Sequence, residues 1–209
     1  MKSEEKNMHI NIKSILNFPF TYRLWSNFVI SKRKRNFFIK EHIRPVKGYR
    51  FLDIGCGTGD IIKHLPDIDY IGFDMNKNYI DSAKKRFGKY GTFLCKKLSN
   101  AILNEFSLFD IVLADGILHH LDDSEALQLF EFAYKLLKKT GRLITKDGCY
   151  INEQSKIVKF ILSKDRGYHV RTKEDYLSLA TKFFPNVKVS IYNNLLRIPY
   201  THIIMECSP

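Results

Sequence analysis

Cysteine is scarce in this chain, and its four copies, Cys56, Cys95, Cys149 and Cys207, stand far apart. No CxxC pair exists, which argues against a zinc site or a disulfide framework. Free thiols suit a reducing compartment, so a cytoplasmic location is expected. Long apolar runs are missing too. None approaches the ~20 residues that cross a bilayer, so no membrane span is expected. Met1 to Lys13 is polar and mixed in charge, without the apolar centre of a secretory signal. Internal repeats and low-complexity linkers are absent. Acid is in deficit: 22 Asp and Glu face 34 Lys and Arg, a net charge of +12. Such an excess suits an anionic partner, whether nucleic acid, a phosphorylated acceptor or a membrane surface. It equally suits a solvated surface on which most lysines are scattered. The one concentrated run is Lys32-Arg33-Lys34-Arg35. It reads either as a localisation or RNA-binding patch or as the exposed face of an N-terminal helix.

What is present is enough for a core. Hydrophobic residues make up 44% of the 209 residues and aromatics 13%, which fits one sizeable domain with a small extension. Tyr22 to Ile43 has apolar residues at roughly helical spacing and is expected to be a helix, ended by Pro45 and Gly48. The expected division is a helical extension or lid over residues 1–44 and a ligand-binding domain over 45–209.

From Tyr49 onward, short apolar runs alternate with helical patterns. Strands are expected at Tyr49–Ile54, Asp69–Phe73, Thr92–Cys95, Phe109–Ala114 and Arg142–Lys146. Helices are expected at Thr58–His64, Asn76–Phe87, weakly at Asn100–Phe106, and from Asp122 onward. Asp122 and Glu125 have capping-box spacing, and Leu127, Phe130, Tyr134 and Leu137 form the stripe behind them. Two more helices follow near Asn152–Leu162 and Thr172–Phe184, then strands near Val187–Ile191 and His202–Cys207. Alternation means an α/β fold, a parallel sheet with helices on both faces. The last two strands have no helix between them and must pair antiparallel.

The sharpest chemical signal is Asp53-Ile54-Gly55-Cys56-Gly57-Thr58-Gly59, between an expected strand and an expected helix. Glycines there permit unusual backbone angles and let a ligand approach the main chain. Asp74 ends the next strand, where its carboxylate can accept from both ribose hydroxyls of a nucleoside. A dinucleotide competes for this loop, but its fingerprint is GxGxxG. Here Gly55, Gly57 and Gly59 read GxGxG, with Asp53 in front. That carboxylate would sit poorly beside a pyrophosphate; it suits the cationic amino group and sulfonium of S-adenosylmethionine.

These residues resemble a known family. Asp53 to Gly59 resembles motif I of the class I S-adenosylmethionine-dependent methyltransferases, and Gly72-Phe73-Asp74-Met75 resembles their ribose-binding motif II. Phe109 to Ala114 followed by Leu118-His119-His120-Leu121 is similar to motif IV of the small-molecule branch. Leu136 to Leu143 is similar to the turn before strand five, with Lys-Thr-Gly in place of Pro-Gly-Gly. The resemblance covers about residues 45–150 and, more loosely, the C-terminal strands. It implies a Rossmann-like seven-stranded sheet in the order 3-2-1-4-5-7-6, with strand seven antiparallel. It also implies S-adenosyl-L-methionine as cofactor and S-adenosyl-L-homocysteine as product. Cofactor contacts are then expected from Asp53, Gly55, Cys56, Gly57, Gly59, Asp74, Met75, Asp115 and Gly116. Where the family often has an Asp after strand three, this chain reads Cys95-Lys96-Lys97-Leu98-Ser99, so adenine recognition falls to backbone near Lys97 and Leu98.

Ligands of open α/β sheets lie at the carboxyl ends of the strands. Asp115, His119, His120, Asp147 and Tyr150 follow strands four and five. Methyl transfer needs positioning and water exclusion, and a hydroxyl acceptor also needs a base. His119, His120 and Asp147 are the candidates, although a histidine beside a helix start can equally cap or pack. Asp115 with Asp147 loosely mimics a Mg²⁺ pair, but a third oxygen ligand is missing, so no metal is expected. Asp165-Arg166-Gly167-Tyr168-His169-Val170-Arg171 reads either as a linker or as an acceptor-binding loop, with Arg166, His169 and Arg171 meeting an anionic group. Tyr22 is a candidate lid residue. The expected partner is a small-molecule acceptor, for which an anionic one is among the readings; a nucleic-acid acceptor and a non-catalytic cofactor-binding protein are the alternatives.

Overall fold

The structure, a computed structural model, describes residues 29–97, 106–165 and 167–209. Its centre is a sheet in the order β3-β2-β1-β4-β5-β8-β7. The strands are β1 Arg50–Ile54, β2 Asp69–Asp74, β3 Thr92–Cys95, β4 Phe109–Asp115, β5 Leu137–Tyr150, β6 Arg171–Thr172, β7 Asn186–Tyr192 and β8 His202–Ser208. β1 to β5 run parallel, whereas β8 is antiparallel to both neighbours. Setting aside the two-residue β6, which only pairs with the end of β5, this is the seven-strand order the resemblance implies.

Strand alternation sorts the core into two layers. Leu52, Val112, Ala114 and Leu143 pack with Phe130 and Ala133 of α3 (Asp123–Leu136) and Tyr176 and Leu179 of α5 (Lys173–Ala180). Phe51, Ile111, Leu113 and Ile144 face the other way, onto Phe38 of α1 (Lys32–Phe38) and Ile80 and Ala83 of α2 (Lys77–Phe87). Caps start the helices where expected. Asn76 accepts from Asn78 N and Tyr79 N ahead of α2, Asp122 accepts from Glu125 N ahead of α3, and Thr172 with Asp175 closes a full capping box at α5.

Several boundaries differ from the sequence reading. Of the helix expected over Tyr22–Ile43, residues 22–28 lie outside the described residues; in the rest, Ser31 caps α1 at Lys32 by accepting from Lys34 N, and a π-helical turn, Ile39–Ile43, ends it. The helix expected at Thr58–His64 is a 3₁₀ turn, Asp60–His64. β5 begins directly after α3, five residues early, because Lys138 turns its Nζ onto the Asp110 carboxylate at 2.8 Å while the ladder bulges between Phe109 and Ile111. α4, Lys156–Ser163, starts late, capped by Ser155. Most of the weak helix expected at Asn100–Phe106 lies outside the described residues.

Candidate active site

The glycine loop leaves β1 at Ile54 and is pinned at once. Gly55 N and Cys56 N both donate to Phe73 O, at 2.8 and 2.9 Å. Gly59 has φ +69°, and a Cβ there would lie 2.6 Å from Phe93 Cε1. Both conformation and space therefore exclude a side chain. Asp74 ties the loop to β2: its Oδ2 accepts from Gly57 N at 2.9 Å and its Oδ1 from Asn76 N at 2.7 Å. A carboxylate has about four lone-pair sites, so both oxygens can still accept from a ribose.

A cleft of about 870 Å³ runs along the carboxyl ends of the strands, lined in part by Asp53, Gly55, Cys56, Asp115, Gly116, His119, His120 and Asp147. Asp53 sits on its floor, buried, accepting from Tyr70 Oη at 2.6 Å. Burial pushes its carboxyl up to about 7; the Tyr70 hydrogen bond opposes this, and the negative neighbours Asp115 and Asp74 add to it. Lys146 counters part of that field. Its Nζ lies 2.7 Å from Asp115 Oδ2 and 4.2 Å from the centroid of the Phe38 ring. Three carboxylates, Asp53, Asp74 and Asp115, thus surround this end of the cleft against the cation Lys146. The donor set therefore fits a ligand that is cationic beside Asp53, as S-adenosylmethionine is. A pyrophosphate there would meet three carboxylates.

Farther along the cleft, His119 is gripped by two acids. Its Nδ1 lies 2.8 Å from Asp147 Oδ1, and its Nε2 lies 3.5 Å from Asp165 Oδ1. The His119 backbone N also donates to Asp147 Oδ1, at 3.2 Å. Burial alone would lower the imidazole pKa, but the Asp147 bond and the charges of Asp147 and Asp165 outweigh it and hold it above the usual value. Tyr200 Oη donates to Asp165 Oδ2 at 2.6 Å. Asp147 is 1% exposed, and its Oδ2 has no protein partner. An anchored carboxylate, an imidazole and a second acid thus stand in line at one end of the cleft, an arrangement able to accept and hold a proton.

The structure brings Asp53, Gly55, Cys56, Asp115, Gly116, His119, His120 and Asp147 together on one cleft. Asp74 adjoins it through Gly57. Met75 is exposed beyond Asp74, and its O accepts from Cys95 Sγ. Lys97 is exposed and paired with Glu125 at 3.0 Å. Tyr150 pairs with Thr172 at the end of β5. Tyr22, Leu98 and Arg166 lie outside the described residues.

The loop 167–171 needs a correction. Arg171, expected to meet an anionic acceptor, is instead a buried clamp. Its guanidinium donates to Leu118 O, Leu121 O, His169 O and Asp123 Oδ1 at 2.7–3.1 Å. Four of these five bonds go to the segment 118–123 that carries His119 and the fifth to the loop's own His169 O, and the loop packs there: His169 N donates to His119 O at 3.0 Å. The Asp115–Asp147 pair is also committed, one acid to Lys146 and the other to His119.

Several cleft residues escaped the sequence reading. Lys34 and Arg35, read as patch or solvated face, turn inward to line the cleft with Lys146 and Lys164. Tyr200 and His202 arrive from the start of β8. An antiparallel strand begins where its parallel neighbours end, and that topology was the available signal. His202 is buried with no partner for Nδ1. Burial, then the charges of Lys146 and His119, push it down to about 3.

Residues 52–143 match the family described as "Methyltransferase domain". The chain is 27% identical over 165 residues to a phosphoethanolamine N-methyltransferase of Plasmodium falciparum, covering 74% of this chain and 62% of that protein. It is 29% identical over 110 residues to a ubiquinone biosynthesis O-methyltransferase of Pelagibacter ubique, covering 51% and 45%. The matches thus span about half the length of these curated relatives. Among solved structures, Haemonchus contortus phosphoethanolamine N-methyltransferase 2, in complex with phosphomonomethylethanolamine and S-adenosylhomocysteine, superposes with a TM-score of 0.68 at 19% identity, over 91% of this chain and 57% of that one. Fold, glycine loop and sequence match agree: residues 52–143 carry a methyltransferase domain, set on a Rossmann-like sheet and similar to the class I S-adenosylmethionine-dependent methyltransferases.

Proposed function

We propose that the protein moves the methyl group of S-adenosylmethionine to a nitrogen or oxygen of a small anionic acceptor and releases S-adenosylhomocysteine. The observation that carries this reading is one continuous cleft, running from the glycine loop to the His119–Asp147 pair. When bound, the cofactor supplies a methyl group made electrophilic by its sulfonium. The chain's task is then to hold the acceptor in line, about 3 Å from that methyl, and to keep water out. His119 takes the acceptor's proton on Nε2, while Asp147 fixes Nδ1 as the donor and steadies the imidazolium. Lys34, Arg35 and Lys164 on the cleft wall support an anionic acceptor. The N-terminal extension, residues 1–44, fits the role of a lid, since α1 contributes Phe38 and both cations to the same wall.

The finer reading is a phosphorylated amine. It draws support from the basic wall and from the relatives that act on phosphoethanolamine. The test is S-adenosylhomocysteine release with phosphorylated amines, the same amines without phosphate, and phenols. Turnover is expected with the phosphorylated set. Preference for a neutral acceptor would overturn the anionic assignment, and calorimetry showing NAD binding but no S-adenosylhomocysteine binding would overturn the whole reading.

A further inference from the structure

α4 carries an apolar stripe that the described residues leave uncovered. Leu162 anchors the helix, 1% exposed, whereas Ile157 is 65% and Phe160 64% exposed. Residues 157, 160, 161 and 164 fall on one helical stripe. Phe160, Ile161 and Lys164 of that stripe also line the cleft. Exposed apolar side chains at the edge of a binding cleft call for a partner.

The helix itself carries charge of one sign, with the exposed Glu153 three residues ahead of it. α4 contributes Lys156 and Lys159, both exposed, and no acid. Lys164 follows it, and Asp165 turns inward to Tyr200 and His119. Across the cleft stand Lys34 and Arg35, and Lys34 Nζ reaches Leu196 O at 2.6 Å. That bond joins α1 to a loop in which Arg197 and Pro199 are exposed and Ile198 is half-buried.

We propose that this face docks on an anionic lipid surface, with Ile157 and Phe160 in the headgroup layer and the surrounding lysines against lipid phosphate or carboxylate. A short helix that is apolar on one stripe and rimmed by lysine is built for such an interface. Nucleic acid would engage the cations but gain nothing from an exposed isoleucine. Docking would point the cleft at the membrane; it stands independently of the methyl-transfer reading.

The test is sedimentation of the full chain with phosphatidylcholine vesicles, with and without phosphatidylserine. Binding is expected only to the anionic vesicles and should weaken as salt rises. Lys156→Gln with Lys159→Gln should weaken it about 30-fold, at about fivefold per lysine. Ile157→Glu should weaken it by more than about tenfold. All these positions are exposed, so S-adenosylhomocysteine affinity, measured by calorimetry, should not change. No binding to anionic vesicles overturns the proposal. Binding that ignores Ile157→Glu overturns it too, as adsorption by charge alone. An RNA oligomer that displaces the vesicles at equal affinity would assign the face to nucleic acid instead.

Discussion

Asp147→Asn tests the proton path most directly. Asparagine keeps the shape of the buried side chain, and its oxygen can still accept from His119 N and from Nδ1, at the positions where Asp147 Oδ1 accepts at 3.2 Å and lies 2.8 Å from Nδ1. What disappears is the charge that favours imidazolium. If His119 is the base, turnover should fall by about 10²–10⁴-fold, the usual worth of general-base catalysis. That is about 2.7–5.4 kcal/mol of barrier. Stability carries a second signature. The His119 pKa is raised in the fold. Its contribution is therefore fully present below the unfolded value of about 6.5 and is lost as pH rises through the higher folded value. Thermal melts should show the variant losing most against the wild type near pH 6 and least in alkali. The assay pairs S-adenosylhomocysteine release across pH with those melts. Turnover within threefold of wild type, with an unchanged pH profile, would refute the role of His119 as base.

Other outcomes follow from the same geometry. Asp74→Ala should weaken cofactor binding by about 1.5–3 kcal/mol, the worth of hydrogen bonds to an ionised acceptor; calorimetry reads this, and an unchanged Kd in the folded variant would remove Asp74 from the site. Arg171→Ala should cost about 3 kcal/mol in urea unfolding, because the Leu118 and Leu121 carbonyls lose their donor; a loss of acceptor affinity at full stability would restore the anion-binding role. Gly59→Val should abolish cofactor binding and destabilise the fold, since positive φ and the Phe93 contact both oppose it. Turnover should survive EDTA, because Asp115 and Asp147 are already paired; loss with EDTA and rescue by Mg²⁺ would reverse that reading.

Sequence alone determined the parts of this protein that rest on local chemistry. The period of the apolar residues dictated the alternation of strands and helices. GxGxG behind Asp53 marked a tight loop after the first strand, and its three glycines all take positive φ, with Asp74 at the next strand end tied to it through Gly57 N. Capping residues such as Asn76, Asp122 and Thr172 set helix starts through bonds to neighbours three residues on or fewer. Tertiary structure decided what depends on distant partners. Nothing local says that Arg171 will spend its guanidinium on Leu118, Leu121 and Asp123, or that Lys34 and Arg35 will turn inward rather than face solvent. The pairing of His119 with Asp147 spans 28 residues, and Tyr200 and His202 join the cleft only because antiparallel β8 begins where β5 ends. Local bonds form within a few residues of chain and leave a sequence signature. Charge pairing across a cleft depends on which elements the fold sets side by side.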